Sequence, residues 1–171
     1  MLTASDVTGF ALTDGQFTAP DPTQPLPCGQ PDPDSQFAPT LQVGSEIDSA
    51  SPQATIVETL AFYSDTATAS KAFDAGVQGI SCSNGNVTAN GAPIPVQLQS
   101  PSDVTSQVGG DRAVQVQLTS SQFQAVVIGV TKDNAVVTFQ YETTPDADTT
   151  KLPNPTQLGA LGVQKIAHTL G

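Results

Sequence analysis

The run QATIVETLAFYSDTATASKAFDAGVQGISC, residues 53–82, changes its hydrophobic period partway along, from two residues to about 3.6. From Gln53 to Tyr63 the residues Ile56, Glu58, Leu60 and Phe62 alternate with Thr55, Val57, Thr59, Ala61 and Tyr63, the pattern of a strand with two distinct sides. Glu58 is the one charge on its side. Ser64-Asp65 then supplies oxygens that can accept the free amides of a helix start. After it, Ala69, Ala72, Phe73, Gly76, Val77 and Ile80 recur at offsets of three and four, a core-facing stripe. The spacing predicts a long helix ending near Cys82, with Asn84-Gly85 as the turn after it.

Toward the amino end, Leu2 to Val7 reads as a short helical piece and Phe10 to Thr13 as a short strand. Six prolines lie between Ala19 and Asp34, and by fixing φ and removing backbone donors they exclude a long helix or a central strand. Residues 19–35 are therefore expected to be a Pro-rich surface loop. Gln36 to Ile47, with Phe37, Leu41, Val43 and Ile47 at even spacing, predicts a strand interrupted near Pro39, and Ser49 to Pro52 turns the chain.

Toward the carboxyl end, Val87 to Ala89 and Ile94 to Leu98 are weaker strands on either side of Asn90-Gly91, and Ser102 to Val108 suits one or two helical turns. Arg112 to Leu118, Phe123 to Thr131 and Ala135 to Glu142 then form an antiparallel meander, joined by short turns such as Lys132-Asp133-Asn134. Its middle member carries Val126-Val127-Ile128 without alternation, as a strand covered on both faces does. Asn154-Pro155 starts a terminal helix with Leu158, Leu161, Val163, Ile166 and Leu170 on its apolar side. The expected architecture is α+β, one domain over residues 1–171. A twisted antiparallel sheet is packed by the long central helix and the C-terminal helix.

Composition narrows the function classes. Charged residues make up only 12% of the chain, the net charge is −11, and the five cations (Lys71, Arg112, Lys132, Lys151 and Lys165) are spread singly. Nucleic-acid binding needs clustered cations that displace counterions, so it is excluded, and anionic membrane surfaces are disfavoured for the same reason. No apolar run approaches the roughly 20 residues of a membrane-spanning helix.

Cys28 and Cys82 read as a disulfide pair, which places the chain in an oxidising compartment. Such a bridge closes a loop worth about 4 kcal/mol in the chain-entropy model. Free or metal-bound thiols are the other possibilities, but two distant thiols and a lone histidine make a poor zinc set. That histidine, His168, suits a favourable charge at a helix carboxyl end, and no Gly-x-Ser-x-Gly elbow accompanies it. The Asp32/Asp34 and Asp146/Asp148 pairs lack the further ligands of a calcium loop and read as solvated acids. No catalytic residue, metal or cofactor is expected. Glu58 and Arg112, each on a strand face with apolar neighbours, are expected either to pair with each other or to anchor a ligand in a cleft.

Several of these features together resemble a family of exported actinobacterial domains grouped with the extracytoplasmic sensor domain of the mycobacterial receptor serine/threonine kinase H. They are Leu2-Thr3-Ala4-Ser5-Asp6-Val7, Pro27-Cys28 in the Pro-rich loop, and the strand running into Ser64-Asp65. The helix with Ala69, Phe73 and Cys82 and the meander with Val126-Val127-Ile128-Gly129-Val130 complete the pattern. The resemblance implies an α+β fold with an antiparallel sheet, a ligand-sensing cleft, and carriage on a receptor kinase or a free lipoprotein. Two disulfides belong to that pattern; only Cys28 and Cys82 are present to carry one.

The resulting expectation is a non-enzymatic cell-envelope sensor-like or ligand-binding domain of a secreted protein or lipoprotein, monomeric, taking a small-molecule or lipid ligand or an envelope protein. Contact with the membrane would be only through a lipid anchor on a trimmed leader. The alternative is a protein- or glycan-docking module using the Pro-rich loop or a sheet edge.

Overall fold

The computed structural model describes residues 1–89 and 91–170, with side chains through His168. The strand and helix of residues 53–82 form as their periods require: β3 is Gln53–Phe62 and α2 is Thr66–Gly79, whose first turn is capped by Asp65 accepting the Thr68 amide. The remaining strands are β1 (Thr13–Asp14), β2 (Leu41–Ala50), β4 (Asn84–Ala89), β5 (Ala92–Leu98), β6 (Ser102–Asp103), β7 (Arg112–Thr119), β8 (Gln124–Lys132) and β9 (Ala135–Thr143). They make one antiparallel sheet in the order β1-β2-β3-β9-β8-β7-β5-β4, with β6 also on β7. The helices are α1 (Pro33–Phe37), α2, α3 (Thr105–Val108) and α4 (Pro155–Leu170). The architecture is α+β.

Each face of the sheet is covered. On one, Ile56, Leu60, Ile128, Val137, Phe139 and Tyr141 pack with Leu158, Val163 and Ile166 of α4, and with Val104 and Val108 at α3. On the other, Ala61 and Tyr63 meet Ala69 and Ala72 of α2, while Val116, Leu118 and Ala125 pack with Val96, Leu98 and Ile80. Val126 and Ile128 belong to the first face and Val127 to the second, so β8 is covered on both sides, as its unbroken apolar run requires. Asn154 Oδ1 accepts the Thr156 amide at 2.9 Å and starts α4. Leu158, Leu161, Val163 and Ile166 of the expected stripe face the core; the Leu170 side chain lies outside the described residues, as does Asn90.

Gly162 sets how closely α4 sits. A Cβ there would lie 2.5 Å from Phe139 Cζ and 2.9 Å from Glu58 Oε1. Only a glycine lets the helix backbone rest on that ring.

The structure corrects four local expectations. Phe37 does not begin a strand: Asp32 accepts the Asp34 amide and starts α1, Phe37 joins the α2-side core, and β2 begins at Leu41. The first strand is Thr13–Asp14, where it pairs with Ile47 and Asp48 of β2, rather than Phe10 to Thr13. Asn84-Gly85 is the start of β4 and not a turn. Gly85 is held extended by the Pro-rich loop, since its Cβ would fall 2.2 Å from Pro27 O, and the Asn86 amide donates to that same carbonyl. The helix α2 stops at Gly79, where the Gly79 carbonyl accepts the Cys28 amide. Pro93 and Pro95 are accommodated inside β5 because β7 pairs with it only at Gln97 and Leu98, so their missing donors cost no ladder bonds.

Cys28 and Cys82 are bridged, with Cα atoms 5.7 Å apart. The bridge fastens the Pro-rich loop to the end of α2 and, through Pro27, to the outer strand β4.

Candidate functional site

Glu58 and Arg112 do not meet. Glu58 is 1% exposed on the α4 side, opposite Ser45 of β2 and Phe139 of β9. Its Oε2 accepts the Leu2 amide and the Ser45 hydroxyl, while Oε1 has no hydrogen-bond partner among the described residues and abuts Gly162. It therefore anchors the amino-terminal segment, whose Leu2 is fully buried. Asp6 extends that anchorage to α4 through Lys165 at 2.6 Å, and this hydrogen bond, with that of Thr3, pulls its carboxyl down to about 2.

Arg112 lies on the opposite, α2 side. It pairs with Asp74 at 2.7 Å and stacks over the Phe73 ring, 4.7 Å from its centroid, with half of its side chain exposed. The expected pairing fails because alternation within a strand says which residues share a side, but not which side of the sheet that is in another strand. Neither residue lines the two grooves described below.

The other singled-out groups have local roles. Asp32 caps α1, and burial pushes its carboxyl up. Asp34 accepts from Tyr63 Oη and Gln42 Nε2, both at 2.6 Å, and burial with that carboxylate pushes the Tyr63 phenol up. Asp148 caps the 3-10 turn Thr149–Lys151 and sits 3.4 Å from Lys151. His168 is exposed in the last turn of α4.

Two grooves open on the α4 side. One, about 660 Å³, lies between α3 and α4; Ser106, Gln107, Gln157 and Gln164 in its lining are exposed, and its one cation, Lys132, is paired with Asp111 at 3.3 Å. The other, about 330 Å³, lies where α4 begins, between the turn at residues 149–154 and the ends of β7, β8 and β9. This volume falls at the lower end of ligand pockets.

The second groove holds side chains absent from the sequence reading. Tyr141 and Thr143 each have only 6% of their surface exposed, line the groove, and have hydroxyls without a hydrogen-bond partner among the described residues. Burial pushes the Tyr141 phenol up to about 12, so it stays a neutral hydroxyl that both donates and accepts. Gln117, Thr119 and Thr149, exposed at the mouth, add uncommitted amide and hydroxyl groups. Leu152 and Pro153 form a buried apolar wall. A signal for this site exists in the sequence: β9 alternation puts Tyr141 and Thr143 on the same side as Ala135, Val137 and Phe139, where a core position would ordinarily be apolar.

The fold is a nine-stranded antiparallel sheet covered by α2 on one face and α4 on the other, with a groove lined by uncharged side chains where α4 begins. No family model and no curated protein matches the chain. Among solved structures it is similar to the extracellular domain of PknH from Mycobacterium tuberculosis, at 12% identity over 98% of this chain and 93% of that one, with a TM-score of 0.72. The chain thus has the fold of that extracellular domain.

Proposed function

We propose that this chain is a non-enzymatic, extracytoplasmic sensor-like domain of the cell envelope, carried on a secreted protein or lipoprotein, that receives a small ligand in the groove where α4 begins. The observation carrying the reading is that Tyr141 and Thr143, residues with only 6% of their surface exposed, open on that groove with hydroxyls that have no hydrogen-bond partner among the described residues. Two hydroxyls that face an open groove without a protein partner are free to bond an incoming ligand. The disulfide supports an oxidising location, and the likeness to an extracellular domain agrees with it. No helix among the described residues is long and apolar enough to cross a membrane.

The docking alternative has weaker support. Phe10 and Leu41 are the exposed large apolar side chains among the described residues, and they do not amount to a contiguous patch. The edge β4 is partly occupied by Pro27 of its own chain. The test is an amide-resolved NMR titration of the chain with a small-molecule extract of the exporting cell's envelope. Shifts gathered at Gln117, Thr143 and Thr149 are expected. Shifts gathered instead at the Pro-rich loop or β4 would transfer the function to docking.

A further inference from the structure

We infer that the groove at the start of α4 is a seat for a neutral, hydroxyl-rich ring, a saccharide unit. The inference rests on the proposed ligand-binding reading and names its ligand class.

No Lys, Arg, His, Asp or Glu side chain lines the groove. The adjoining Lys151 is 70% exposed and already paired with Asp148, so an entering carboxylate or phosphate would meet no free cation. The start of α4 does not compensate, because Asn154 already accepts the Thr156 amide and its backbone carbonyl accepts the Leu158 amide. The protein's overall charge of −11 also repels anions. A cationic ligand would find no carboxylate in the lining.

An apolar ligand fails for a different reason. It would cover Tyr141 Oη and Thr143 Oγ1, which open on the groove, and leave both hydroxyls shut away without partners, each costly. A polyol satisfies them. Each sugar hydroxyl donates and accepts, as do the Tyr and Thr hydroxyls and the Gln117 amide, so reciprocal bonds form without moving a charge. The C–H side of a pyranose ring then lies against Leu152, Pro153 and Pro155. A free saccharide and the end of an envelope glycan present the same ring.

The test is an amide-resolved titration of the whole chain with the methyl glycosides of glucose, mannose, galactose and N-acetylglucosamine, with maltotriose, and with glucose 6-phosphate and octanoate as comparators. At least one neutral sugar is expected to give saturable shifts at Gln117, Thr119, Thr143 and Thr149, weakened at least tenfold in Tyr141→Phe/Thr143→Val. Because those hydroxyls have no protein partner, the variant is expected to melt as the parent does, so loss of binding is not loss of fold. Tighter binding of maltotriose than of the single rings assigns the ring to a glycan end; equal binding assigns it to a free saccharide. Shifts at these amides from glucose 6-phosphate or octanoate, with silence from the neutral sugars, would overturn the saccharide class and leave the groove as the ligand seat. Silence from every probe would overturn both.

Discussion

Gly162→Ala tests the seating of α4 on the sheet, which positions both the Glu58 anchor and the groove. The added methyl would stand 2.5 Å from Phe139 Cζ and 2.9 Å from Glu58 Oε1, well inside the separation of about 3.5–4.0 Å at which carbon atoms rest. Neither neighbour is a flexible end: Phe139 is 3% exposed and Glu58 is 1% exposed. Overpacking of a tight core costs about 1–3 kcal/mol. Replacing glycine in a helix interior returns about 1 kcal/mol. The net expectation is a loss of up to about 2 kcal/mol, with the melting temperature falling by about 2–4 °C for each kcal/mol at this chain length.

The sharper quantity is the coupling to Phe139. Phe139→Ala alone should cost about 3–5 kcal/mol. In that background the ring clash is gone and only the approach to Glu58 Oε1 remains, so Gly162→Ala should cost clearly less than in the parent, offset by the helix-propensity gain of about 1 kcal/mol. Urea unfolding followed by circular dichroism, with the disulfide intact, gives all four corners of the cycle. Additivity within about 0.5 kcal/mol, or a single Gly162→Ala variant that is more stable than the parent, would show that the helix does not rest on the ring.

Replacing Cys28 and Cys82 with serine together should remove about 4 kcal/mol by the loop-closure model, read from the urea midpoint, and should speed proteolysis in residues 19–35. Asp6 is depressed to about 2, chiefly by its hydrogen bond from Lys165, so its stabilisation is complete above its unfolded value near 3.8 and disappears as pH falls through about 2. Melting curves across that window should steepen the acid loss in the parent relative to Asp6→Asn. Arg112→Ala should cost no more than about 1 kcal/mol, since both partners of its ion pair are at least half exposed; a loss several times larger would argue for a buried role. Gly85→Ala should loosen the Pro-rich loop, because the new Cβ would strike the Pro27 carbonyl, and faster amide exchange at Asn86 would report it.

Much of the fold was legible because single-strand and single-helix signals are local. The change of period after Tyr63, the Asp65 and Asn154 caps, the meander of β7 to β9 and the two-sided cover of β8 each depend on residues close in the chain. Misreadings arose where a distant contact overrode a local tendency. Asn84-Gly85 has turn chemistry, yet the Pro27 carbonyl holds it in a strand, and Phe37 follows an even spacing that the Asp32 cap interrupts.

The site was less legible. Glu58 was recognisable as an odd charge on an apolar strand face, and it is buried, but its partners are the Leu2 amide and Ser45, 56 and 13 residues away in sequence. Arg112 satisfies its charge with Asp74 of α2. Tyr141 and Thr143 are ordinary strand residues until the turn at 149–154 and the start of α4 leave a groove above them.

The amino-acid order by itself determined most of the strands and helices, pointed to the pairing of the two cysteines, and spread the five cations singly. Each follows from short-range periodicity, from composition, or from having only two thiols. Tertiary structure alone decided the strand order, the side of the sheet that Glu58 and Arg112 occupy, and the convergence of the Tyr141 and Thr143 hydroxyls on one groove. Those depend on pairings between residues tens of positions apart, where alternation defines a side only relative to its own strand and packing sets the rest.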